Sequence, residues 1–208
     1  NRLMVVGSGN ENTVNLAYTS KETPGENDWT PVSQRLANNA FSVFYSEKQE
    51  KWVVATGSGI YYSEDGDSWT KTTFDEHFWG VSYSYDQDVW MAGGEGTILR
   101  SPNGEDWTVV NASIFSNCTA VTYSELAFDG AKRWIAVGQG QTDAPRIAYS
   151  DDGFTWTAVV VKATPTSTLP HLDVAYSAPQ SRWVIVGSDQ MMYSDNNGLM
   201  WNIAKASD

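Results

Sequence analysis

Ser63-Glu64-Asp65-Gly66-Asp67-Ser68-Trp69 decides how this chain folds, because it recurs. It returns as Ser101-Pro102-Asn103-Gly104-Glu105-Asp106-Trp107 and as Ser150-Asp151-Asp152-Gly153-Phe154-Thr155-Trp156. A version one residue longer is Ser194-Asp195-Asn196-Asn197-Gly198-Leu199-Met200-Trp201, and a looser one opens at Thr19 and closes at Trp29 with Gly25 inside. The residue types suit a tight turn. Asp or Asn accepts from nearby backbone amides, and Gly takes the left-handed conformation. The Trp opens the next strand with a large apolar face to bury.

Each copy follows a short apolar run: Leu16-Ala17-Tyr18, Ile60-Tyr61-Tyr62, Ile98-Leu99-Arg100, Ile147-Ala148-Tyr149 and Met191-Met192-Tyr193. These read as hairpin arms. Upstream, a second apolar strand begins at Leu3, Trp52, Trp90, Trp134 and Trp183 and ends near Gly7, Gly57, Gly94, Gly138 and Gly187. Before that stands Val-x-Tyr-Ser, at Val43–Ser46, Val81–Ser84, Val121–Ser124 and Val174–Ser177. The unit is therefore four short strands over roughly 40 residues, the size of one propeller blade. The expectation is an all-β, five-bladed β-propeller of four-stranded antiparallel blades forming one domain over 1–208, with blades near 1–36, 37–75, 76–113, 114–164 and 165–208. The repeat supplies five copies of strands two to four but four of strand one, so the first blade lacks its first strand and ring closure is open; a longer natural chain is the favoured explanation.

Composition bounds the function. Of 208 residues, 41% are hydrophobic and 10 are Trp, enough for a packed core. A net charge of −12 argues against a nucleic-acid or anionic-membrane surface, which needs concentrated positive charge. No apolar run approaches membrane-spanning length, so neither nucleic-acid binding nor membrane insertion is expected. The single cysteine, Cys118, rules out an intramolecular disulfide. The chain opens at Asn1 without Met, which fits a signal peptide removed or never included. Sequons at Asn111 and Asn117 are at the level of chance for this composition.

The repeated turn and its hairpin resemble the Asp-box, or BNR-repeat, propellers, over essentially the whole chain. Of the strict copies, only the turn from Ser194 to Trp201 has that family's common spacing. The resemblance implies sialidase-like repeats and an extracellular or virion-associated setting. It also implies a binding face opposite the turns, around the central channel, because the turns themselves are fold devices.

On that face, Asn39, His77 and Asn117 fall at one position of successive blades when aligned on the Val, and Phe41 and Trp79 coincide likewise. Asp173 stands where the other blades have Ser42, Gly80 and Ala120, which places a carboxylate at the channel. The segment Asp75-Glu76-His77-Phe78-Trp79 carries the kit for a sugar, an aromatic ring for stacking and polar groups for hydroxyls. The competing expectation, and the favoured one, is that Phe78 and Trp79 simply begin a strand and pack in the core. Loops between strands two and three are longer in blades one and four, at Gly7–Asn15 and Gly138–Arg146, where they either shape a rim or merely vary.

A sialidase site needs three arginines for the substrate carboxylate. Arg2, Arg133 and Arg182 precede the strand-two Trp position and belong with the turns, and Arg100 sits beside one. Only Arg35 and Arg146 remain for the binding face, so the trio cannot be assembled. A two-carboxylate glycosidase would need a pair roughly 5–10 Å apart. Asp75, Glu76, Glu95, Asp143 and Asp173 are candidates, and spacing singles out no pair. Two histidines and one cysteine show no metal-ligand spacing, and no cofactor motif is present.

The expected function is non-catalytic recognition of a glycan or protein, with Asn39, His77, Trp79, Asn117, Arg146 and Asp173 as ligand-binding residues and no cofactor or metal. A glycoside hydrolase using loop carboxylates and a structural or assembly protein of a virus particle are the alternatives.

Overall fold

A computed structural model describes residues 2–8, 15–36, 39–111, 113–125, 132–140, 147–159, 171–188 and 190–204. They form five antiparallel sheets, each from consecutive strands, and among the described residues there is no helix. The first sheet has three strands, β1 (Leu3–Val6), β2 (Leu16–Thr19) and β3 (Thr30–Pro31). The second has β4 (Ala40–Ser46), β5 (Lys51–Thr56), β6 (Gly59–Ser63) and β7 (Thr70–Lys71). The third has β8 (Phe78–Ser84), β9 (Val89–Gly94), β10 (Thr97–Ser101) and β11 (Thr108–Asn111). The fourth has β12 (Phe115–Tyr123), β13 (Trp134–Gly140), β14 (Ile147–Ser150) and β15 (Thr157–Ala158). The fifth has β16 (His171–Ser177), β17 (Arg182–Gly187), β18 (Met191–Ser194) and β19 (Asn202–Ile203).

The strict turns share one hydrogen-bond pattern. The Ser hydroxyl accepts from the Gly amide at 2.8 Å in Ser63–Gly66, Ser101–Gly104 and Ser150–Gly153, and at 2.9 Å in Ser194–Gly198. The Asp or Asn side chain accepts from amides further along, as Asp65 does from Asp67 and Ser68 at 2.8 Å. The four glycines have φ of 75° to 78°, where a Cβ is strained. The looser first copy departs from this pattern. There Thr19 accepts from the Lys21 amide at 3.2 Å, Asp28 from the Gly25 amide at 2.8 Å, and Gly25 lacks the left-handed φ. Its spacing from Thr to Gly is too long to place the glycine amide over the hydroxyl.

The sheets stack face to face in chain order. Antiparallel pairing makes residues at i, i+2 share a face, so each sheet carries one apolar face toward each neighbour. Trp90, Ala92 and Leu99 of the third sheet meet Val53, Ala55 and Ile60 of the second. Trp134, Ala136 and Ala148 of the fourth meet Met91 and Ile98 of the third. The same construction joins the fourth sheet to the fifth and the first to the second. Polar clamps cross these interfaces. Gln49 accepts from the Trp90 indole at 2.7 Å and donates to the Pro102 carbonyl at 2.9 Å. Gln87 repeats this one sheet on, with the Trp134 indole and the Asp151 carbonyl, both at 2.8 Å.

Cys118 is fully buried against Gly93, and burial pushes its thiol up to about 12. The long connections of the first and fourth sheets fall mostly outside the described residues. The first is closed at its base by the Gly7 amide donating to the Asn15 carbonyl at 3.0 Å.

Candidate binding face

The strands nearest the middle of the molecule are β4, β8, β12 and β16, the Val-x-Tyr-Ser strands. Each has a shift in register against its neighbour, between Ala40 and Ser42, Phe78 and Gly80, Cys118 and Ala120, and His171 and Asp173, and β12 has another between Phe115 and Asn117. The skipped residue is a β-bulge, an extra residue that falls out of the register with the second strand. In β4 it is Phe41, in β8 Trp79 and in β12 Thr119. A bulge re-aims its side chain, and here it aims it away from the interfaces between sheets.

The four inner strands enclose a cavity of about 480 Å³. Phe41, Trp79 and Thr119 line it, together with Asp173 and the small residues Ser42, Gly80 and Ala120. Close approach of the inner strands requires those small residues, since a Cβ on Gly80 would lie 3.0 Å from the Ala120 Cα and the Thr119 carbonyl oxygen. Asp173 breaks the run of small residues and is the ionisable residue of the lining. Its carboxylate accepts from the Val174 amide at 2.8 Å and is exposed to solvent. Ser42 accepts from the Val81 amide at 3.3 Å, and Thr122 donates to the Val174 carbonyl at 3.0 Å, which ties adjacent inner strands together.

The favoured expectation for the Phe78-Trp79 pair is corrected by half. Phe78 is fully buried in the interface between the second and third sheets, as a strand aromatic should be. Trp79 is only half-buried and lines the cavity, because it is the bulged residue. The exposed His77 ring stands edge-on to Trp79 at 6.1 Å between centroids. A Cβ on Gly57 would lie 3.7 Å from the exposed Phe41 ring and 4.0 Å from His77 Nε2. Phe41, His77 and Trp79 therefore form one aromatic shelf at the mouth of the cavity.

Asn39 and Asn117 are half-buried and act partly through their backbones. The Asn39 carbonyl accepts from Gly57 at 3.1 Å, as His77 does from Glu95 at 3.0 Å. The Asn117 side chain donates to Gln139 at 3.2 Å. Arg146 and Asp143 lie outside the described residues. Of the remaining candidate carboxylates, Asp173 lines the cavity, Lys71 pairs with Asp75, and Glu76 accepts from the Asp75 amide at 3.1 Å. Among the described residues no group of three or more His, Cys, Asp or Glu is placed to hold a metal.

The turns and this shelf sit at opposite ends of the strands. Register pairs Trp52 with Ser63 at one end of the second sheet and Ala40 with Thr56 at the other. A seven-residue inner strand separates the two faces by about 20 Å. Arg2 and Arg133 stay at the turn end, as their sequence position implies. Arg2 donates to the Asp65 carbonyl and to Asp67 at 3.0 Å, and Arg133 to Asp151 at 3.0 Å and to the Asn197 carbonyl at 3.1 Å. The bulges were the feature that sequence reasoning missed. Their trace was visible as the small residue after the aromatic in Phe41-Ser42 and Trp79-Gly80.

Antiparallel sheets stacked face to face around a cavity lined by their inner strands define a β-propeller. The chain belongs to the DUF6242 beta propeller domain family, whose profile matches residues 1–208. Solved structures of similar fold include a nidogen/laminin complex chain, with a TM-score of 0.70 at 11% identity over 99% of this chain and 79% of that one. An ancestral GH74 enzyme gives 0.66 at 13% identity, covering 85% of this chain and 27% of the enzyme. YCF48 from Cyanidioschyzon merolae gives 0.57 at 18% identity, covering 81% and 56%. At these identities the likeness is one of fold, and this chain spans about a quarter of the GH74 enzyme. No curated protein matches the chain in sequence.

Proposed function

We propose that this propeller is a recognition module that binds a glycan across the mouth of the central cavity, without catalysis. The observation that carries this is the aromatic shelf of Phe41, His77 and Trp79 beside a cavity of about 480 Å³ that also holds Asp173. Sugar rings present C–H faces that stack on aromatic surfaces, and a carboxylate accepts from their hydroxyls. Asn39, Asn117 and Arg146 belong to the same proposed surface. The four shared turns support kinship with Asp-box propellers, with each sheet as one blade within the ranges 1–36, 37–75, 76–113, 114–164 and 165–208.

Screening the protein on a glycan array tests the proposal. Binding that is lost on Trp79→Ala and weakened at least tenfold on Asp173→Asn, about 1.4 kcal/mol, is expected. Absence of binding to every glycan would count against it. Two observations favour specific rivals. The likeness to a nidogen/laminin complex chain favours a protein ligand on the same face. The likeness to a GH74 enzyme favours glycoside hydrolysis, and turnover of a chromogenic glycoside abolished by Asp173→Asn would establish it.

A further inference from the structure

The two ends of the stack expose the same faces that every internal junction buries. The face a sheet turns toward its predecessor carries the strand-two Trp position. Trp90, Trp134 and Trp183 are fully buried there, whereas Leu3 in the first sheet is 48% exposed. Two residues on, Val54, Ala92, Ala136 and Ile185 are fully buried, whereas Val5 is 44% exposed. The face toward the successor behaves alike. Ile60 and Ile147 are fully buried, whereas Met191 in the fifth sheet is 55% exposed, and Val186 is 39% exposed where Ala55 and Val137 are fully buried.

The polar hardware of a junction is present as well. Arg2 stacks over Tyr18 at 4.2 Å and Arg133 over Tyr149 at 4.3 Å, and each also reaches the backbone of the next sheet's turn. Arg182 stacks over Tyr193 at 4.7 Å in the same way, but its guanidinium is paired with Asp195 of its own sheet at 2.6 and 3.0 Å. At the other end, β1 is an edge strand, whereas β5, β9, β13 and β17 are each covered by an inner strand. An edge strand with one apolar face is a template for further pairing.

We infer that the seam between the fifth and first sheets is a docking surface for one further four-stranded blade of this same repeat. Its Trp-bearing face packs on Val184, Val186, Met191 and Tyr193, and a carbonyl of its turn accepts from Arg182. Its opposite face covers Leu3 and Val5. The occupant is read from the four junctions already present, because the seam continues the apolar positions of all four and, in register, the arginine that Arg2 and Arg133 supply at two of them. This inference is independent of the glycan site, whose shelf lies on the second and third sheets.

The test fuses a copy of residues 76–113 to the C-terminus of the full chain and follows amide hydrogen exchange. Exchange at β1 and β18 is expected to slow by about tenfold or more, with a monomeric product and a higher Tm. The same fusion with Trp90→Asp in the copied segment is expected to give no protection. Three results overturn the inference. One is exchange at β1 and β18 already as slow as at β9 and β13 in the unfused chain, which would mean that the two ends seal on each other. Another is a dimer in analytical ultracentrifugation that Val186→Asp dissociates, which would make a second copy the occupant. The third is a folded fusion with unchanged exchange. If the fusion does not fold, Met191→Asp in the unfused chain decides. An unchanged Tm supports an open seam, and a drop as large as that of Ile147→Asp overturns it.

Discussion

At the scale of single residues, the turn carboxylates carry a pH dependence. The Ser68 and Asp67 amides hold the Asp65 carboxyl down at about 2, and the Thr155 and Phe154 amides lower Asp152 likewise. The Tyr83 hydroxyl, with Lys48 and Gln49, holds Asp88 at about 2. A group whose pKa is depressed by folding adds stability that is fully present above its unfolded value near 3.8 and is lost as pH falls toward 2. Acid unfolding should therefore steepen between about pH 4 and pH 2. Asn103 and Asn196 do the work of Asp65 in two sibling turns, so Asp65→Asn should fold normally. Its Tm should fall less across that window than the wild type's. An identical acid limb in a pH series of thermal melts would show that the turn bonds contribute no such linkage. Asp65 is exposed, so the effect is expected to be small and screened by salt.

At the scale of strands and sheets, the clamps between neighbours set how firmly blades hold together. Gln87→Ala leaves the Trp134 indole N–H buried without its acceptor and frees the Asp151 carbonyl. A buried donor left unpaired costs about 1–3 kcal/mol. Urea unfolding should show that loss with an unchanged m-value, and Gln49→Ala should match it through Trp90. A loss below about 0.5 kcal/mol in both would mean that water replaces the glutamine. The bulges act at this scale too. They turn Phe41 and Trp79 out of the register that buries Phe78, and so convert the start of a core strand into part of a rim.

At the scale of the whole molecule, the described residues of each sheet pack mainly on the sheets before and after it, as in a quasi-one-dimensional repeat protein. The second, third and fourth sheets are buried on both faces, and the first and fifth on one. Native-state hydrogen exchange should therefore be slowest in β9 and β13 and fastest in β1 and β18. Uniform protection across the five sheets would contradict an open stack. Consecutive strands pair within each sheet, and the inner strands meet each other across whole repeats.

The strands, the repeat and four of the five turns were legible in the sequence because they depend on local physics. Hydrogen bonds to Ser63 and Asp65 span only a few residues, and the unbroken apolar run Trp52-Val53-Val54-Ala55 marks a strand without reference to anything beyond it. The first turn, Thr19 to Trp29, reads as a looser copy, and its own hydrogen bonds follow from the tertiary structure because residue types alone do not fix the distance between hydroxyl and amide. The repeat sets Asn39, His77 and Asn117 at one position of successive repeats, and Asp173 lines the cavity. Tertiary structure alone decided that Trp79 lines that cavity, because alternation says that Phe78 and Trp79 point to opposite sides but not what each side meets. It alone decided that Leu3 and Met191 face solvent while their equivalents are core, since burial is a property of the neighbouring sheet and not of the residue.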